Sequence, residues 1–384
     1  MIYLDYASSA PVSHQALDTF QKLSQCCYGN ASSLHDAGEQ ASVVLSYCRR
    51  QLARFLGGDP SGVYFTSCGT EANLLGIQSL ARALPSGKRH IVTTKMEHPS
   101  VHYAMQALEE AGFIVTVLTP DTRGIVTEAI LAQALRPDTG LISIQHANSE
   151  TGIVQPIAQL AQLTKGQNIL FHTDAVQTFG KIPVLQDELG VDAISISSHK
   201  VYAPKGAGAV YIRPGIPWRP LYPTVTHENG FRPGTVNVPL IGAFITACEE
   251  TMERREQDEQ WCRMLRNRLI RGLRENTLPV SYFSDREHEL LPGIFGCFYS
   301  GVEGQYAMLS CNRRGVCIAT GSACTAGQQA PSGALTALGL SNRDALQFIR
   351  ISFGRYTSEE DIDVLLQALV ALRHEIQQEP VFGR

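Results

Sequence analysis

Five stretches of the chain place reactive side chains where chemistry could be done. Lys200, in SSHKVYAPKGAGAVYI, follows the apolar run DAISIS and precedes a glycine-rich turn. A lysine there can lie beside a ligand and form a Schiff base with a carbonyl, although the same letters fit an ordinary exposed lysine. Asp174 closes the apolar run NILFHTD. A carboxylate at the end of a buried strand is costly unless it meets a cation or hydrogen-bond donors, and the nitrogen of a protonated pyridine ring is one such partner. A helix N-cap for the following AVQTFG explains Asp174 equally well. Gln177, three residues on, could donate to an oxygen of the same ring. CGTEA (68–72) sets Thr70 between a strand and a helix, where backbone N–H groups and the hydroxyl make a cup for phosphate, or simply a capped helix. His98, in MEHPSV, could stack on a planar ring and move protons. His98 and His102 share the i, i+4 spacing of a metal pair, but no H-E-x-x-H pattern or third ligand accompanies them, so no metal is expected. Cys324 sits in GSACTAGQQAPSG among residues too small to pack well. A structural thiol needs the opposite setting, whereas a nucleophile needs an accessible one, near positive charge or a base.

Apart from Cys324, these residues share a position: each falls at the end of a segment that reads as a strand. GVYFTS, HIVTTKM, FIVTVL, LISIQHA, NILFHTD and DAISIS are short apolar runs separated by helical patterns such as GTEANLLGIQSLARAL, HPSVHYAMQALEEAG and IAQLAQLTKG. Strands alternating with crossover helices predict an α/β fold with a mainly parallel central sheet sandwiched by helices. Ligands of such sheets gather beyond the carboxyl ends of the strands. After residue 215 the pattern changes. WRPLYPTVTHENGFRPGT reads as a long functional loop, residues 239–276 as one long helix, and VSYFS, LPGIFGCFYS and CIATG as strands of a smaller α+β domain. The expected division is a large domain over 14–257, with 1–13 and 258–384 forming the small one.

Composition narrows the class. The 384 residues are 44% hydrophobic and 18% charged with a net charge of -4, enough apolar material for a large core and no basic surplus for nucleic acid. No run approaches a membrane span, and the N-terminus lacks a secretory signal, so a cytoplasmic location is expected. The ten cysteines show no C-x-x-C pair, and reduced, mostly buried thiols are the expectation, with Cys317 placed in the core.

Taken together, the ordered set of phosphate loop, stacking histidine, ring-nitrogen aspartate and Schiff-base lysine resembles the cysteine desulfurases. These lie in the class V aminotransferase superfamily of fold-type I enzymes that use pyridoxal phosphate (PLP). The likeness runs from YLDYASSAPV and YGNASSLHDAG, through HANSETGIVQPI, HTDAVQTFGKIPV and SSHKVYAPKGAGAVYI, to HENGFRPGTVNVPLIGAF, ATGSACTAG and IRISFGRYTSEEDID. The resemblance implies that Lys200 anchors PLP, Asp174 pairs with the pyridinium nitrogen, Gln177 contacts the phenolic oxygen and His98 stacks on the ring. It implies that Thr70, Ser197 and His199 bind the phosphate, joined by Thr235 from the neighbouring subunit of a homodimer with composite sites. Asn148 would lie near the phenolic oxygen and the substrate, Arg350 would grip the carboxylate of L-cysteine, and Asn30 would help to place it. Arg355 is the alternative to Arg350. Cys324 would take the sulfur as a persulfide, leaving L-alanine, and pass it to an acceptor protein. Cys68 replaces a small residue usual in the family's phosphate loop and is expected to be inert. Iron–sulfur cluster biogenesis, tRNA thiolation, DNA phosphorothioation and cofactor synthesis all remain possible destinations for the sulfur. A selenocysteine lyase, another class V enzyme and an idle scaffold are the rival readings.

Overall fold

Six of the seven strands that build the larger sheet are the six apolar runs named above, and the computed structural model describes them within residues 1–283, 289–321 and 332–378. In spatial order the strands are Val63–Thr66, Gly208–Ile212, Ala193–Ser197, Leu170–Asp174, Thr139–Ser143, His90–Thr94 and Ile114–Leu118. Gly208–Ile212 runs antiparallel to both neighbours, and the remaining adjacent pairs are parallel. The continuous apolar character of these strands has a direct cause. Successive residues point to opposite faces, and both faces are covered. Phe65, Ile142, Phe171 and Ile194 enter one buried cluster, whereas Tyr64, Leu141, Ala193 and Val210 enter another.

Two compact units divide the chain. One comprises Ala10–Ala147 and Gln155–Arg255, and the other Met1–Ser9, Asn148–Val154 and Glu256–Arg384. The second unit has its own core, which includes Leu4, Phe295, Ile349, Ile351 and Leu369. Its sheet is antiparallel, in the order Ala319–Thr320, Phe348–Ser352, Ile294–Tyr299 and Val280–Tyr282, and Ile2–Tyr3 pairs separately with Val316–Cys317. The long helix spans Val238–Glu275, with Phe244 and Cys248 in the core of the first unit and Leu265 and Leu269 in that of the second.

Local signals explain several boundaries. The helix Pro99–Glu110 stops because Gly112 takes a left-handed conformation (φ 83°) that other residues avoid. Residues 176–181 form turns rather than a helix after Asp174. The loop over 218–235 contains a short 3-10 segment, His227–Gly230, tied down by the buried Glu228. Glu228 accepts from the Phe65 backbone N–H at 2.7 Å and pairs with Arg49 at 2.8 Å. Among the nine described cysteines, all free, six are buried; Cys317, expected in the core, is instead half-exposed, on an edge strand with its thiol 3.8 Å from Asn312. No described helix is long and apolar enough to cross a membrane.

Removing one partner of a buried ion pair strands the other charge without compensation. Arg49→Met should therefore destabilise the protein by about 3–5 kcal/mol in urea unfolding, and adding Glu228→Gln should recover part of that loss.

Candidate active site

The ends of the central strands in the first unit carry most of the residues singled out above. Asp174 ends its strand almost wholly buried, 7% exposed. Its Oδ1 accepts from the Val176 backbone N–H at 2.9 Å, and its Oδ2 from Asn73 Nδ2 at 2.6 Å. Both donors are neutral, and no ion pair joins Asp174 to a described residue. A buried carboxylate in that state is prepared for a cation from outside the protein. Because no helix follows, the bond to Val176 closes a turn, and the N-cap alternative for Asp174 does not hold.

Asn73 reaches Asp174 because its helix, Gly69–Ala83, lies close on the sheet. Gly76 permits the approach: a Cβ there would stand 3.3 Å from Val210 Cγ1. At the start of the same helix, Cys68 rather than Thr70 is the N-cap, its sulfur 3.5 Å from the Glu71 N–H. Thr70 is exposed at the second helical position. Gly69 leaves a cradle, since a Cβ would meet Val176 Cγ2 at 2.9 Å and Ser197 Cβ at 3.2 Å. Ser197 Oγ is buried and has no partner among the described residues. An orphaned hydroxyl beside the N-terminus of a helix fits an anionic group such as a phosphate.

Lys200 is half-buried in the 3-10 turn Ser198–Lys200 that follows the strand Ala193–Ser197. Two residues on, Tyr202 holds a left-handed φ of 64°, a strained setting for a non-glycine residue. His199 loses hydration and faces Lys200, Lys205 and Lys181, which together push its pKa down to about 4. His98 is solvent-exposed, yet enough protein crowds its ring to lower its pKa, with Asp174 opposing and Lys200 and His102 adding to the shift. The His102 ring bonds backbone groups of Glu97 and Lys95, which is a structural use of that histidine. Gln177 is buried and accepts from Lys181 Nζ at 3.2 Å. Asn30 and Thr235 are both exposed, and Asn30 Oδ1 accepts from the Ser32 N–H at 3.0 Å.

The second unit prepares a guanidinium. Arg350 lies in the strand Phe348–Ser352 between Gly296 and Ala319, whose small side chains leave it room. It is 5% exposed. Its Nη2 donates to Asp5 Oδ1 and Ser8 Oγ, each at 2.7 Å, and Nη1 donates to the Ser149 carbonyl at 2.9 Å. Nε is buried without an acceptor among the described residues. A two-pronged grip on a carboxylate therefore requires Ser8 or Asp5 to release Nη2. Arg355 is pinned to Asp258 at 2.8 Å, as a structural residue would be. Asn148 Oδ1 accepts from the N–H groups of Glu150 and Thr151 at 3.0 and 2.9 Å and from Thr151 Oγ1 at 3.0 Å, so its carbonyl oxygen is held by its own turn. Cys324 lies outside the described residues.

Three further groups escaped sequence reasoning. Asn73 and Ser100 looked like ordinary helix positions. Glu97 is 6% exposed and accepts from Thr94 Oγ1 at 2.7 Å and the Gln145 N–H at 3.0 Å. Burial, with Asp174 nearby, pushes its pKa up to about 8, so at neutral pH it is a protonated acid.

Comparisons with known proteins agree with this architecture. The Aminotransferase class-V family profile matches residues 2–365. A Bacillus subtilis (strain 168) protein provisionally named cysteine desulfurase NifS is 54% identical over 373 residues, covering 97% of this chain and 94% of that one. Cysteine desulfurase IscS of Dictyoglomus turgidum is 38% identical over 96% of this chain and 93% of its own length. Among solved structures, a NifS-like protein superposes with a TM-score of 0.90 at 32% identity, covering 97% of this chain and 99% of that one. SspA in complex with cysteine gives 0.81 at 32% identity over 93% and 100%. The chain belongs to the class-V aminotransferase family, within its cysteine desulfurase branch.

Glu97 generates a pH prediction. Its folded pKa lies above the usual 4.5, so its stabilising contribution is complete below that value and is lost as pH rises through about 8. Thermal unfolding should show Tm falling between pH 6 and 8, and Glu97→Gln should flatten that slope.

Proposed function

We propose that the protein removes sulfur from L-cysteine, giving L-alanine and a persulfide on Cys324 that is passed to an acceptor. The observation that carries this reading is Asp174, a buried carboxylate at a strand end whose only described donors are neutral amides. Together with the orphaned Ser197 hydroxyl in the Gly69 cradle, it fits pyridoxal phosphate, whose ring nitrogen would face Asp174 and whose phosphate would meet Ser197. That cofactor, when bound, supplies an electron sink that loosens the α-proton of an amino acid.

The chain's own residues do the rest. Lys200 would hold the cofactor, and its amine would move the α-proton of the substrate. Asp174 would hold a carboxylate beside the ring nitrogen and so favour its protonated form. Gln177 and Asn148 would hold the phenolic oxygen, and His98 would lie against the ring and exchange protons with the substrate. Thr70, Ser197 and His199 would hold the phosphate, and Thr235 would do so across the interface of a homodimer. Arg350 receives the substrate carboxylate, with Ser8 giving up its hydrogen bond and Asn30 assisting. The Cys324 thiolate attacks the substrate sulfur, the carbon–sulfur bond breaks with its electron pair left on carbon, and a proton completes L-alanine. In sum, L-cysteine and a thiol become L-alanine and a persulfide. The free described thiols suit a reducing compartment such as the cytoplasm.

Cys324→Ala should keep the absorbance of bound cofactor while alanine formation from L-cysteine falls at least a hundredfold. Full alanine production by that variant would contradict the role of Cys324. Lys200→Ala should lose the visible band that disappears on borohydride reduction of the wild type, and an unchanged spectrum would contradict the anchor.

A further inference from the structure

Asn73 and Ser100 stand between two groups that the proposed reaction uses, and the polarity of every bond between them is fixed. Asp174 is an acceptor only, so the end of Asn73 that lies 2.6 Å from Oδ2 must be its nitrogen. Turning the amide round would set its oxygen against a carboxylate. The second hydrogen of Asn73 Nδ2 goes to Ser100 Oγ at 3.0 Å. Ser100 Oγ thereby serves as an acceptor, and its own hydrogen has His98 Nδ1 within reach at 2.7 Å. The Ser100 backbone N–H also meets Nδ1, at 3.2 Å. Two donors converging on Nδ1 leave no place for a proton there. The opposite tautomer would press an N–H against the Ser100 N–H and leave the Ser100 hydroxyl hydrogen without a described acceptor. Asn73 is 1% exposed and Ser100 is fully buried, so water does not compete for the bond between them. Asp174, Lys200, His102 and the protonated Glu97 are the titratable groups around His98, and lost hydration dominates their combined effect in keeping the ring neutral.

We propose that Asn73 and Ser100 are positioning residues that tie His98 to the Asp174 carboxylate and fix the imidazole proton on Nε2. His98 then presents Nε2–H, not Nδ1–H, to the reaction, and the charge proposed to steady the cofactor ring also orients the atom through which protons are exchanged. This deepens the function proposed above and rests on it for its meaning, though its test does not require turnover.

The full-length protein, labelled with 15N-histidine, is observed by two-bond 1H–15N spectroscopy before and after addition of pyridoxal phosphate, with His98→Gln assigning the resonance. In the wild type without added cofactor, Nδ1 of His98 should appear unprotonated and Nε2 protonated from pH 6.5 to 8. In Asn73→Ala and Ser100→Ala the single tautomer should give way to a mixture. A protonated Nδ1 in the wild type overturns the proposal without needing any variant to fold. A single Nε2–H tautomer that survives in both variants overturns it as well. A protein lacking desulfurase activity but showing the fixed tautomer would count against the proposed function alone.

Discussion

A negative charge held out of water, at the end of a central strand, with only neutral donors for company, is the constraint around which the first unit is arranged. Asp174 could have been paired with an arginine or lysine of the chain, which would have quenched its attraction for a ligand. Instead it receives one backbone N–H and one side-chain amide, enough to fix its oxygens and too little to neutralise them. The sheet makes this possible by bringing strand ends together on one edge. The close-lying helix Gly69–Ala83 makes it possible by carrying Asn73 down onto the sheet.

Arg350 shows the complementary solution. Its guanidinium is buried too, but the second unit holds it with an aspartate, a serine and a carbonyl before any ligand arrives. Pre-positioning of this kind removes the rotamer entropy that a long side chain would otherwise lose on binding. It also means that any ligand reaching Arg350 would compete with these partners, which favours one that brings a full negative charge in a planar, two-oxygen form. Glu150, whose burial pushes its pKa up to about 7, adds little repulsion while protonated.

Much of the first unit was legible in the sequence because its strands are buried on both faces and so read as unbroken apolar runs. Lys200, Asp174, Ser197 and His98 could be placed near strand ends for the same reason: strands and helices alternate, and reactive residues fall in the joints. What could not be read were partnerships across long separations. Asp5 and Ser8 lie 345 and 342 residues from Arg350, and nothing in YLDYASS announces a carboxylate that will hold an arginine. Asn73 and Ser100 sit inside helices, where a buried amide or hydroxyl looks like any interior position until its neighbour across the sheet is known. Cys317 was misplaced for a related reason. An apolar run of two residues at a sheet edge covers only one side of its thiol.

The central claim is that the uncompensated charge of Asp174 exists to keep a pyridine nitrogen protonated. The most direct measurement is the 15N chemical shift of ring-labelled pyridoxal phosphate bound to the wild-type protein and to Asp174→Asn, followed from pH 6 to 9. The account predicts a protonated ring nitrogen throughout in the wild type and a deprotonated one in the variant. A ring nitrogen already bare of its proton in the wild type at pH 7 would contradict it.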